Sequence, residues 1–166
     1  MSSTNGAGEQ IAVTLRPTIE ADLTVFFENQ RDPEAIRVAA FTPEDPEDHG
    51  GFVAHWGRLL ADEGKVKRSI LVDGACVGHI VSFERFGNPE ITYWIARDWW
   101  GRGVTTRALG LFLEGFDIRP LQARAASDNL GSIRVLERNG FRVIGYDRFY
   151  AAGRGEEIAE TILELS

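Results

Sequence analysis

Two glycines flanking an arginine, Gly101-Arg102-Gly103, are the residues of this sequence best placed for chemistry with an anion. They open the segment DWWGRGVTTRALGLFLE, residues 98–114, whose apolar residues at 104, 108, 111 and 112 recur at a helical period. Glycine lets backbone N–H groups come close to a ligand, and a helix N-terminus carries partial positive charge, so phosphate is the natural guest. The apolar ITYWIA, residues 91–96, reads as a strand just before, giving the order strand, glycine turn, helix. No GxxxxGK phosphate loop occurs, and only GxG of the dinucleotide fingerprint is present. The same spacing also suits a plain tight turn between a strand and a helix.

Other reactive side chains are sparse. Cys76 lies in an apolar strand and reads as core packing rather than as a nucleophile, and a single cysteine favours a reducing, cytoplasmic setting. His49, His55 and His79 lack ligand spacing, so no metal is expected. A net charge of −7 argues against a nucleic-acid partner but leaves room for a basic substrate. No apolar run is long enough to span a membrane, and MSSTNGAGEQ, residues 1–10, reads as a disordered tail.

The elements that must position the glycine turn follow from hydropathy patterning. IAVTLRP, residues 11–17, reads as a first strand, Ala21 to Gln30 as a helix and Pro33 to Val38 as another. Residues 41–51 form a proline-rich acidic loop, with an amphipathic helix from Phe52 to Asp62. Residues 68–83 form a hairpin around Asp73-Gly74, and Asn88-Pro89 marks another turn, so that Glu90 begins the fourth strand. LQARAAS, residues 121–127, makes a fifth strand, parallel to the fourth through a right-handed crossover. A short helix over residues 128–140, ended by Gly140, precedes two closing strands over 141–150 and 157–165. The expectation is one α+β (mixed α/β) domain over residues 11–166: a mostly antiparallel twisted sheet, one parallel pair at strands 4 and 5, and flanking helices.

WWGRGVTTRAL followed by NLGSIRVLERNGF resembles the GNAT superfamily of acyl-CoA N-acyltransferases, and in particular its branch of RimJ- and RimL-like N-terminal acetyltransferases. The resemblance spans about Val13 to Leu165. It implies acetyl-CoA as co-substrate, with backbone N–H groups of Gly101, Arg102, Gly103, Val104, Thr105 and Thr106 around the pyrophosphate. It also implies a bulged fourth strand that splays from the fifth, so that the backbone of Trp94, Ile95, Ala96 and Arg97 pairs with pantetheine. Asn129 and Ser132 match the family's NxxS positions, where the Asn contacts the pantetheine arm and the Ser the coenzyme; Asn129 also suits a helix cap. Arg107 and Thr105 depart from the usual Glu and small residue.

Amine acetylation needs a base, a stabilised oxyanion and a proton for the leaving thiolate. The resemblance implies Glu90 as general base, although a carboxylate at a strand end equally suits an exposed position. Backbone N–H groups of the fourth strand would hold the oxyanion. The tyrosine that supplies the proton in many relatives is replaced by Leu136, leaving Ser132 as the nearest hydroxyl and Tyr146 and Tyr150 as looser candidates. The acceptor is a protein N-terminal or small-molecule amine, no membrane partner is implied, and a homodimer is left open. A non-catalytic acyl-CoA sensor of the same fold is the alternative.

Overall fold

The computed structural model describes residues 11–166, so the tail expected over residues 1–10 lies outside the described residues. The chain runs β1 (Val13–Pro17), α1 (Leu23–Gln30), α2 (Pro33–Ala39), α3 (His49–Ala61), β2 (Lys67–Val72), β3 (Ala75–Arg85) and β4 (Asn88–Ile95). It continues with α4 (Val104–Glu114), β5 (Leu121–Ala126), α5 (Leu130–Arg138), β6 (Arg142–Ala151) and β7 (Glu156–Leu165). The seven strands form one sheet in the order β1-β2-β3-β4-β5-β7-β6. Every pairing is antiparallel except β4 with β5, which keeps a single registered pair, Glu90 with Gln122. The mixed, mostly antiparallel architecture with a splayed parallel pair is therefore the observed one.

Period-two alternation sorts the strand residues onto two faces, and each face has its own helices. On one face Ile70, Ile80, Ile91 and Ile95 meet Val104, Leu109 and Phe112 of α4 and Leu136 of α5. On the other Val81 packs with Phe26 of α1 and with Phe52, Trp56 and Leu59 of α3. His79 belongs to this second cluster, with its ring 4.6 Å from Phe26 and 4.9 Å from Trp56. Its Nδ1 is buried without a partner, and burial pushes the imidazole pKa down to about 3. The unfolded chain then binds a proton near the ordinary 6.5 that the folded chain refuses, so stability must fall as pH drops from 6.5 toward 3. The slope is up to about 1.4 kcal/mol per pH unit. His79→Phe should flatten urea-derived stability between pH 6 and 4; a slope unchanged from the native chain would place the titration elsewhere.

Two boundaries and one register shift differ most from the sequence reading. The turn before β4 is Phe86-Gly87, both at positive φ (53° and 80°), and Asn88 already pairs with Arg85. Positive φ at both central residues is the hairpin geometry whose twist matches the strands, which is also what Asp73-Gly74 adopts (49° and 87°). Pro89 fits inside β4 because the odd-numbered N–H groups of this strand face away from β3. The acidic loop ends three residues early, since the Asp48 carboxylate accepts the Gly51 N–H at 3.0 Å and starts α3 at His49 despite two glycines. The register shift implied for β4 is absent from the β3/β4 pairing and sits instead across β2 and β3, at Ile70/Leu71 opposite Gly78 and Cys76.

Candidate active site

Because β5 leaves β4 after Glu90, one edge of β4 is open. Ala96 N–H donates to Val77 O at 2.9 Å, and hydrogen-bonding direction alternates along an antiparallel strand. The even-numbered backbone groups of β4 therefore serve β3, while those of Tyr93 and Ile95 face the gap. Of the four positions expected to pair with a coenzyme, Ile95 has its N–H on the open side, whereas the amides of Trp94 and Ala96 turn to β3. The Ile95 carbonyl accepts the Trp100 indole N–H at 3.1 Å, which anchors the chain as it leaves the strand. Arg97 points outward and pairs with Asp32 at 3.1 Å.

The glycine turn closes one end of this gap. Gly101 and Gly103 have φ of 72° and 79°, and a Cβ on either would meet no protein atom within 4 Å. Left-handed backbone suits glycine, and the open space above it leaves the backbone accessible to close approach. The first bond of α4 is Arg107 N–H to Gly103 O at 3.1 Å, so the preceding amides have no intrahelical acceptor, and no side chain caps them. Val104 is core, 1% exposed, and offers only its N–H. Arg102 stacks on Trp99 at 4.9 Å, and Arg102 and Arg107 line a second hollow of about 540 Å³ beside Gly103. Gly103→Ala should cost about 1–2 kcal/mol of stability, the strain of a left-handed residue with a Cβ. On the reading that the turn amides hold phosphate, acetyl-CoA affinity should fall at least ~10-fold in addition, because a methyl would obstruct that approach. Titration and denaturation measure the two; an unchanged affinity would leave Gly103 as an ordinary turn glycine.

The other end is formed by α5. Asn129 accepts the Ser132 N–H through Oδ1 at 3.2 Å, so it caps the helix, and its Nδ2 remains available. Asn129 and Ser132 line, with Tyr93, Trp94, Trp100 and Thr105, a cavity of about 410 Å³ under α2. Ser132 Oγ is 2.7 Å from the Tyr93 hydroxyl. Leu136 is fully buried and presents nothing to the cavity, while Tyr146 and Tyr150 are 69% and 62% exposed on the outer strand β6. In the sequence Tyr93 stands only as one residue of the strand ITYWIA. Its place on the same face as Ile91 and Ile95, hence under α5, is the signal that points it at Ser132.

Glu90 sits where β4 and β5 part, and it is 2% exposed rather than an exposed strand-end carboxylate. It does not line the cavity, and its nearest charge is Arg124 of β5, with Nε 3.4 Å from Oε2. Both atoms are buried and neither makes an aligned hydrogen bond, so the contact is attraction without a full bond. Arg124 Nη1 also holds Asp147 at 3.1 Å and Glu160 at 3.2 Å, and the guanidinium lies over Phe86. Burial raises the Glu90 pKa above the ordinary 4.5, opposed by Arg124 and Arg85. Arg124 was not singled out from sequence, because a lone Arg in LQARAAS carries no motif.

An open strand edge, free amides at a left-handed glycine turn and an amide-hydroxyl pair on α5 together fit a long ligand that is polar along its arm and anionic at one end. Acetyl-CoA has that chemistry. Comparison with known proteins agrees with this geometry. Residues 12–142 match the acetyltransferase (GNAT) domain family. An uncharacterized N-acetyltransferase p20 of Bacillus licheniformis is 27% identical over 157 residues, covering 88% of each chain. Among solved structures, Mycobacterium smegmatis RimJ in complex with CoA-disulfide superposes with a TM-score of 0.77 at 21% identity, over 92% of this chain and 81% of that one. Spermidine N-acetyltransferase from Vibrio cholerae, in complex with CoA and spermine, gives 0.73 at 15% identity, over 92% and 95%. With the splayed strands, the glycine turn and a family match over most of its length, this chain belongs to the GNAT acetyltransferase family.

Proposed function

We propose that residues 11–166 act as an N-acetyltransferase on a primary amine, either a protein N-terminus or a small-molecule amine, in a cytoplasmic setting. Acetyl-CoA supplies the activated acetyl group. The observation that carries the reading is the gap between β4 and β5, bounded by Gly101, Asn129 and Ser132 and lined by Tyr93 and Ile95. In this reading the amides at the start of α4 hold the pyrophosphate, the open edge of β4 aligns the pantetheine arm, and Asn129 Nδ2 meets it from α5. Glu90 takes the ammonium proton through water, and Ser132 serves the leaving sulfur. Within the family, WWGRGVTTRAL and NLGSIRVLERNGF favour the RimJ- and RimL-like branch.

A second reading rests on Leu136, fully buried where many relatives carry the proton-donating tyrosine: a module that binds acyl-CoA without turnover. The two readings separate in an assay of thiol release from acetyl-CoA against a panel of peptide N-termini, polyamines and amino acids. Amine-dependent release supports the transferase. Coenzyme binding, seen as a rise in Tm, with no release from any amine supports the sensor.

A further inference from the structure

The replacement of the usual tyrosine by Leu136 leaves one hydroxyl pair in the cavity, and its geometry carries an assignment that rests on the acetyl-CoA reading above. Tyr93 reaches from β4 to the first turn of α5, where its oxygen is 2.7 Å from Ser132 Oγ and 3.3 Å from the Ser132 carbonyl oxygen. We propose that Tyr93 is a positioning residue that donates its hydroxyl proton to Ser132 Oγ and so turns the serine proton into the cavity, toward the sulfur of the coenzyme.

Two arrangements of the two hydroxyl protons satisfy these distances. In the first, Ser132 donates to Tyr93, and Tyr93 donates to the Ser132 carbonyl across 3.3 Å, so both protons are turned inward. In the second, Tyr93 donates to Ser132 Oγ across 2.7 Å, and the Ser132 proton is free for the cavity. An anion in the cavity selects the second. It gains a donor, and the pair gives up only the long bond, which is the weaker one. The backbone of Ser132 is fixed by Asn129 Oδ1 on its N–H, so the hydroxyl can be re-aimed without moving the helix. Tyr93 stays a neutral donor because burial raises its pKa, partly opposed by Ser132. The phenol cannot drift, since Tyr93 packs against the buried core on the α4 and α5 face of the sheet.

In the reaction, Ser132 holds its proton against the sulfur as the carbon–sulfur bond breaks with its electron pair on sulfur. The proton shed by the attacking nitrogen balances the thiol that forms. A chain with no acid at position 136 thereby still lowers the cost of expelling the thiolate, with a two-hydroxyl relay in place of one tyrosine.

The test uses the full chain with CoA and needs no amine. The thiol of bound CoA is titrated by thiolate absorbance in the native protein, Tyr93→Phe, Ser132→Ala and the double variant. The native protein should hold the thiol pKa below that of free CoA. Each single variant should raise it by about one unit, a roughly tenfold shift in the thiolate ratio, and the double variant should add little, because the two hydroxyls act as one unit. Ser132→Ala leaves the Tyr93 ring in place, so it reports on the pair even if Tyr93→Phe fails to fold. In the presence of an active amine, Tyr93→Phe should lower kcat and leave the KM for acetyl-CoA unchanged. A shift in Ser132→Ala with none in a folded Tyr93→Phe overturns the role of Tyr93, and no shift in either places the pair away from the sulfur. If CoA does not bind the native protein, the acetyl-CoA reading fails first and takes this assignment with it.

Discussion

Glu90→Gln should lower kcat by roughly 10²- to 10⁴-fold, the range for loss of a general base, while coenzyme affinity barely changes. Gln keeps the shape and removes a buried charge, and Arg124 retains Asp147 and Glu160, so the fold should tolerate the change. The pH dependence has a definite sign. Burial holds the Glu90 pKa above its ordinary 4.5, so the native rate should rise with pH through a carboxylate step displaced upward, and the variant should lose that step. At high pH the amine is neutral in bulk solution and the deficit should shrink. Steady-state kinetics across pH measure this; near-native turnover at every pH would make Glu90 a structural partner of Arg124.

Gly78→Ala is the substitution with the largest expected effect on the scaffold. Gly78 pairs with Ile95 across β3 and β4, and a Cβ there would collide with the Trp94 carbonyl oxygen and approach the Ile95 Cα to 2.9 Å. Both are backbone atoms, so no rotamer relieves the contact, and β4 must move at the end that borders the cavity. A cost of about 3 kcal/mol follows for such overpacking, which lowers Tm by roughly 6–12 °C in a chain of this size. Acetyl-CoA affinity should fall as well, because the moved residues include Ile95. Gly145→Ala is the control, since a Cβ there meets nothing within 4 Å and its effect should be small. Thermal melts with and without acetyl-CoA distinguish the two; equal Tm values would show that β3 and β4 absorb the methyl.

The glycine turn and the first hairpin were legible from local signatures, the apolar run ITYWIA, a helical period after Gly103 and a turn dipeptide at Asp73-Gly74, and the parallel pair followed from the right-handed crossover between strands 4 and 5. The start of β4 was not, because Phe86-Gly87 reaches positive φ without the Asn or Asp that usually announces it. The start of α3 was hidden by Gly50 and Gly51, whose poor helix propensity is outweighed by the Asp48 cap and the burial of Phe52 and Trp56. Burial of Glu90 depends on Arg124, which lies on another strand and is 34 residues away in sequence. No local pattern encodes that pairing. The pairing of Tyr93 with Ser132 likewise joins β4 to α5 and exists only once both are packed.

The central claim, that acetyl-CoA occupies the gap between β4 and β5, is tested most directly by amide hydrogen exchange with and without the ligand. Unpaired strand-edge amides exchange fast, and a ligand that pairs with them must slow them. Acetyl-CoA should slow exchange in Ile91–Arg97 and in Gly101–Thr106, with the outer strand β6 unchanged. Protection confined to β6, or none in the β4 and glycine-turn segments at saturating ligand, would contradict it.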